Sequence, residues 1–167
     1  MKLHLGCGRD YRKGYINCDI SPEVNPDKIV DLEKPLDFED DSIEEIMINH
    51  VLEHIHDIMF VLKEFYRVCK NGAIINIQVP YFSHESAFST MTHVRFFTWT
   101  SFDFLDAENP RHYDAVGNFK TVWKKLKWRR IFKPLELLFN ISPRVYQELF
   151  PWIFPAKELH IKLRVIK

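Results

Sequence analysis

At 167 residues, with 46% hydrophobic and 14% aromatic side chains, the chain can bury one substantial core and is too short for two ordinary domains. Lysine plus arginine equal aspartate plus glutamate at 23 each, so no global field draws the protein to nucleic acid or to an acidic partner. Cys7, Cys18 and Cys69 are odd in number and contain no Cys-x-x-Cys pair, which argues against a disulfide framework or a structural zinc site and fits a reducing compartment. With no signal-like start and no apolar run of spanning length, the chain is expected to be cytoplasmic and without a membrane span.

Residues 2–5 are an apolar run that ends on Gly6-Cys7-Gly8, predicting a strand that enters a tight loop. Residues 15–20 give a second strand closing near Asp19, residues 28–32 a short third and residues 42–49 a fourth. Within residues 55–69, Ile58, Val61, Leu62, Phe65, Tyr66 and Val68 recur at helical spacing, with Asp57, Lys63, Glu64 and Arg67 opposite them. That is an amphipathic helix covering a sheet. Asn71-Gly72 supplies its stop, and residues 73–79 form an apolar run closed by Pro80, the pattern of a buried central strand. Only nine residues, 6–14, separate the first two strands, whereas a parallel crossover takes about a dozen or more; the first helix should be a stub or absent. Residues 88–105 are aromatic-rich and expected to be helical in part, and residues 109–118 are loop-like. Lysines surround Trp123 and Trp128 in residues 119–128, and four prolines, from Pro134 to Pro155, divide residues 131–154 into short helices. Residues 159–165 alternate as an edge strand with one buried face.

Two glycines directly after a strand let the backbone pass close to a bulky polar ligand, and an acid at the end of the next strand can grip ribose hydroxyls. Gly6, Gly8 and Asp19 therefore outline a nucleoside cofactor site. An NAD site fits poorly, because Asp10 and Tyr11 stand where a third glycine is needed and no second catalytic domain follows. Further pieces come in order: Asp31-Leu32, Leu36-Asp37-Phe38 with Asp41-Ser42-Ile43-Glu44, Asn49-His50-Val51-Leu52-Glu53-His54, the run from Phe65 to Gly72, and a strand ending in Pro80. Together they resemble the small class I S-adenosyl-L-methionine (SAM)-dependent methyltransferases of the type 11 group over roughly residues 1–104. The resemblance implies an α/β, Rossmann-like, doubly wound and mostly parallel sheet, with an abbreviated first crossover and a C-terminal antiparallel edge strand. One domain would span residues 1–167, with residues 119–156 a variable basic and apolar cap or insertion. It also implies SAM as cofactor, held by Leu5, Gly6, Cys7, Gly8, Asp19, Ile20, Asp31, Leu32, Asn49 and His50.

Acceptor chemistry is expected past Pro80, where open α/β sheets gather ligands. His84, Glu85, His93 and His112 follow that strand end, and the segment Met91 to Phe97 resembles one found after strand five in some relatives. His93 and His84 are the candidate bases, with Tyr81 and Arg95 as substrate-binding residues. A metal cluster of His84, His93 and His112 has no support from spacing. His50 to His54 matches the H-x-x-E-H zinc-protease pattern, but at a strand-to-helix junction; Glu53 and His54 are expected to cap the following helix and no metal is expected. The strip Lys120, Lys124, Lys125, Lys127, Arg129, Arg130 and Lys133, with the apolar segment behind it, suits a peripheral membrane contact through residues 120–154, a lipid-linked or glycan substrate, or a homodimer cap. The resulting expectation is methyl transfer to an oxygen of a small-molecule or glycan acceptor. A SAM-binding module without catalysis and an RNA-modifying methyltransferase are the alternatives; nucleic acid is disfavoured, since no Asn-Pro-Pro-Tyr-type motif follows strand four.

Overall fold

The computed structural model describes residues 1–109 and 116–167. Seven strands, β1 (Lys2–Leu5), β2 (Ile16–Asp19), β3 (Lys28–Ile29), β4 (Ile43–Asn49), β5 (Cys69–Pro80), β6 (Asn118–Lys127) and β7 (Glu158–Ile166), form one sheet in the order β3-β2-β1-β4-β5-β7-β6. The first five are parallel, β7 runs antiparallel to β5, and β6 antiparallel to β7. Leu3, Leu5, Ile46, Ile48, Ile75, Ile77 and Val79 are all 2% exposed or less, as expected of parallel strands covered on both faces.

The first crossover contains no helix. Residues 6–15 fold as a loop instead, fastened by Asn17, whose Oδ1 accepts from Arg12 N at 2.7 Å and whose Nδ2 donates to the carbonyls of Arg12 and Tyr15. The helix α1 (Ile58–Val68) links β4 to β5 and buries Val61, Leu62, Phe65 and Val68. Its cap is Asp57, whose Oδ1 accepts from Phe60 N at 3.0 Å, and not Glu53 or His54 as expected. Asn71-Gly72 lies inside β5 rather than at the helix end: the pairing jumps from Ile43 opposite Cys69 to Glu45 opposite Ile74, and Gly72 takes φ +82° in the bulge.

The second half departs further. Residues 88–105 form no α-helix; short 3-10 turns at Glu85–Ala87 and Asp103–Leu105 punctuate loops. Their Ser and Thr side chains compete for the backbone, as in Thr98 N donating to Ser101 Oγ at 2.8 Å, while Phe97 and Phe102 stack. The terminal strand is antiparallel but sits inside the sheet, and the edge is β6. Alternation marks one buried face without saying how many neighbours a strand has, whereas the lysines of β6 are what protects an exposed edge. Residues 118–127 therefore belong to the sheet, and only residues from 130 onward, with α2 (Lys133–Ile141) and α3 (Pro143–Leu149), lie outside it before β7. No helix among the described residues is long and apolar enough to cross a membrane.

Candidate functional site

The chain leaves β1 for β2 and β3 on one side and returns through β4 and β5 on the other, so the topology switches between β1 and β4. A crevice is expected there, beyond the carboxyl ends of the strands. A cavity of about 370 Å³ occupies this position. Gly6 reaches it from β1, Asp19 and Ile20 from β2, residues 30–33 from the end of β3, and His50, Val51, His54 and Ile55 from the end of β4. Of the ten expected cofactor residues, Gly6, Asp19, Ile20, Asp31, Leu32 and His50 line it. Leu5 and Cys7 are instead core residues, 0% and 3% exposed, and Gly8 and Asn49 are not part of the wall.

Gly6 adopts φ +64°, and a Cβ built on it would lie 2.1 Å from Val51 Cγ2. Only glycine leaves this wall intact. Asp19 fastens the loop, its Oδ2 accepting from Gly8 N at 2.8 Å and its Oδ1 from Ser21 N at 2.9 Å. Each oxygen retains a second lone pair for a ligand hydroxyl. Burial raises the Cys7 thiol and pushes Cys18 and Cys69 up to about 12, so none of the three is a ready nucleophile.

Behind the wall sits a charged network. His50, in the left-handed region at φ 54°, places Nε2 3.6 Å from Glu158 Oε1 and Nδ1 3.4 Å from Glu53 Oε1. Glu158 and then Glu53 raise the His50 pKa to about 9. Burial works to raise Glu158, but interactions with His160, His50 and Lys157 outweigh it and hold that carboxyl far below its usual range. Glu53 is 1% exposed and neither of its carboxylate oxygens has a hydrogen-bond partner among the described residues.

The expected acceptor residues scatter. Tyr81 is fully buried, donates to Gln147 Oε1 at 3.2 Å and packs on Phe82 and Tyr146, which leaves no surface for an acceptor. Arg95 spends its guanidinium on the carbonyls of Ile55 and His56, pinning the turn before α1. His84, 6% exposed, caps the turn Glu85–Ala87 through Nδ1, which accepts from Ser86 N at 3.1 Å; burial, with Arg129 nearby, lowers its pKa. His93 approaches the cavity through His54. Its ring lies 4.7 Å from that of His54, a wall residue, in a T-shaped contact, and the two imidazoles and Glu53 have ligand atoms within 4.8 Å of one another. His112 lies outside the described residues. Sequence reasoning missed Glu53 and His54 as site residues because their partner, His93, is remote in the chain.

The basic strip is largely neutralised. Lys120 pairs with Glu108, Lys124 with Asp103, Lys125 and Lys127 with Glu136, and Arg129 with Glu85. Arg130 and Lys133 have no ion pair among the described residues.

Residues 3–77 match the family model described as a methyltransferase domain. That match covers less than half of the 167 residues. Beyond residue 77 the likeness is one of shape, to solved structures that are 10–18% identical to this chain. A SAM-dependent methyltransferase from Archaeoglobus fulgidus is similar with a TM-score of 0.69 at 16% identity, covering 98% of this chain and 85% of that one. An S-adenosylmethionine-dependent methyltransferase from Mesorhizobium loti gives 0.62 at 13% identity, covering 98% and 89%. Phosphoethanolamine N-methyltransferase 2 of Haemonchus contortus, solved in complex with S-adenosyl-L-methionine, gives 0.59 at 10% identity, covering 99% of this chain and 48% of that one. At these identities the likenesses show the fold alone, one that these SAM-dependent methyltransferases share. No curated protein matches the sequence.

Proposed function

We propose that this chain moves a methyl group from SAM to a hydroxyl oxygen of a small-molecule or glycan acceptor, with the cofactor in the cavity at the switch point. One observation carries the reading: Gly6, Asp19, Asp31, Leu32 and His50, implicated in sequence by separate motifs, converge on one wall. The cavity suits SAM, because a Cβ at Gly6 would fill the cradle and Asp19 keeps acceptor capacity for ribose hydroxyls. Ile20, Val30 and Leu32 would supply apolar walls for adenine. When bound, SAM brings a methyl already activated on a sulfonium, so the protein's work is to align donor and nucleophile and exclude water. Alignment alone can lower the barrier by about 7–11 kcal/mol.

On the acceptor side His93 has the required tautomer. Its Nδ1 lies 2.9 Å from the Ala87 carbonyl, which can only accept, so Nδ1 carries a hydrogen and Nε2 is the nitrogen left to act as base. That nitrogen takes the hydroxyl proton as the oxygen bonds the methyl carbon, while the carbon–sulfur pair stays with sulfur. Calorimetry with S-adenosylhomocysteine tests the cofactor, and labelled SAM with metabolite extracts tests the transfer. His93→Ala should cut turnover and leave S-adenosylhomocysteine affinity nearly intact. Absence of binding to the wild type refutes the reading.

A second observation bears on where the acceptor resides. Ile131, Leu137, Leu138, Ile141, Trp152 and Ile153 are 58% to 79% exposed, in the same segment as Arg130 and Lys133, which have no ion pair among the described residues. We infer that this face rests on an anionic membrane and serves a lipid-linked acceptor. Each cation near such a surface adds about 1 kcal/mol, so Arg130→Ala with Lys133→Ala should weaken sedimentation with phosphatidylserine vesicles by roughly tenfold or more. No vesicle binding, with concentration-dependent dimerisation instead, assigns the face to self-association.

A further inference from the structure

We propose that Glu53, His54 and His93 form a site for a divalent first-row cation, with Zn²⁺ the best match, at the edge of the cofactor cavity. The three residues offer ligand atoms within 4.8 Å of one another, close enough for small side-chain rotations to bring them onto one ion. Both histidines are prepared for it: His54 Nδ1 faces the Thr92 carbonyl at 3.2 Å and His93 Nδ1 the Ala87 carbonyl at 2.9 Å. A ligating imidazole typically donates its other N–H to such a carbonyl, which fixes the tautomer and leaves Nε2 for the metal. The two segments are locked together, since Val94 N and Arg95 N both donate to the Glu53 carbonyl and Arg95 clamps residues 55 and 56.

Independent of this arrangement, Glu53 is a carboxylate buried to 1% exposure whose two oxygens lack hydrogen bonds among the described residues. Burying such a group is costly unless a cation answers it. The His50 imidazolium, shared with Glu158, pairs with Oε1 at 3.4 Å, so Oε2 is the oxygen left without a partner among the described residues. The ligand set is thus not the H-x-x-E-H pair of histidines, because His93 from beyond β5 takes the place of His50. It also reverses the expectation that this segment holds no metal.

Two imidazoles and a carboxylate leave coordination positions open, as in catalytic zinc sites. Their use for the acceptor rests on the methyl-transfer reading: an ion bound there would hold the acceptor hydroxyl and make it acidic enough to lose its proton to solvent, and His93, its Nε2 then a ligand, would serve as base only in the ion-free protein. The test is titration of chelator-treated protein with Zn²⁺ by calorimetry and with Co²⁺ by visible absorption. One ion per chain is expected, with affinity lowered at least ~100-fold in His93→Ala and in Glu53→Gln, falling steeply from pH 7 to pH 5, and unchanged in His56→Ala. Circular dichroism checks that each variant is folded, and His54→Ala serves if Glu53→Gln is not. Wild type that takes up neither ion, or His93→Ala and His54→Ala that both bind as wild type does, overturns the site. S-adenosylhomocysteine binding, measured without metal, separates that outcome from failure of the methyltransferase reading.

Discussion

Replacing Gly6 by alanine should be among the most damaging changes of a single atom in this chain. The backbone there has φ +64°, which a Cβ disfavours by about 1–2 kcal/mol. The new methyl carbon would lie 2.1 Å from Val51 Cγ2, where carbon atoms rest at about 3.5–4.0 Å, so the two must part by roughly 1.5 Å or more. Val51 is half-buried against the core, and such overpacking costs about 1–3 kcal/mol. The total, about 2–5 kcal/mol, is a large share of the ~5–15 kcal/mol that holds a domain folded. Because Gly6 and Val51 both line the cavity, S-adenosylhomocysteine affinity should fall more than tenfold. Urea unfolding of Gly6→Ala, Val51→Ala and the double variant closes a thermodynamic cycle. Removing the Val51 methyls should recover the clash component, about 1–3 kcal/mol, and leave the backbone component. A loss below about 1 kcal/mol in Gly6→Ala, or strictly additive singles, would show that the loop relaxes and that close approach does not explain the glycine.

Asp19→Ala should weaken S-adenosylhomocysteine binding by roughly 10- to 100-fold, both through lost charge-assisted bonds and through release of Gly8 and Ser21; unchanged affinity by calorimetry contradicts its placement. Arg67→Met should cost about 2–3 kcal/mol in urea unfolding, because it strips Glu64 of a bidentate partner at 2.7 and 2.8 Å and frees the carbonyls of Leu36 and Phe38. That figure allows for the guanidinium being one-third exposed. The His50 ring should titrate near pH 9 by NMR: raised from 6.5, it contributes stability fully present below about pH 6.5 and lost as pH rises through 9. In Glu158→Gln the midpoint should move down towards 6.5, and an unmoved midpoint excludes the carboxylate as its cause.

Strands β1, β2, β4 and β5 were legible because apolar runs bounded by glycine, asparagine and proline carry both period and ends. So was the missing first helix, a matter of counting residues 6–14. The cavity wall was legible for Asp19 and Asp31, whose positions follow from strand ends. What could not be read was pairing at a distance. Nothing local to residues 159–165 places them between β5 and β6, and nothing in Met91 to Phe97 announces that His93 meets His54. Tyr81 and His84 misled for the complementary reason: polar residues just past a strand end suit a site, yet hydrogen bonds to Gln147 and Ser86 make them structural.

The inner position of β7 has a consequence for the order of assembly. Every parallel strand can find its neighbour as soon as α1 has formed, whereas β6, among the described residues, joins the sheet through β7, which follows it in sequence. Until residues 158–166 dock, the lysine-rich ribbon has no template and β5 presents a bare row of donors and acceptors. Docking closes contacts as remote in sequence as Tyr66 Oη to the Ile166 carbonyl, and such closures are the slow steps of folding. The cofactor half and the cap half are therefore joined late, and a chain stalled before that point should show a formed glycine loop beneath an aggregation-prone open edge.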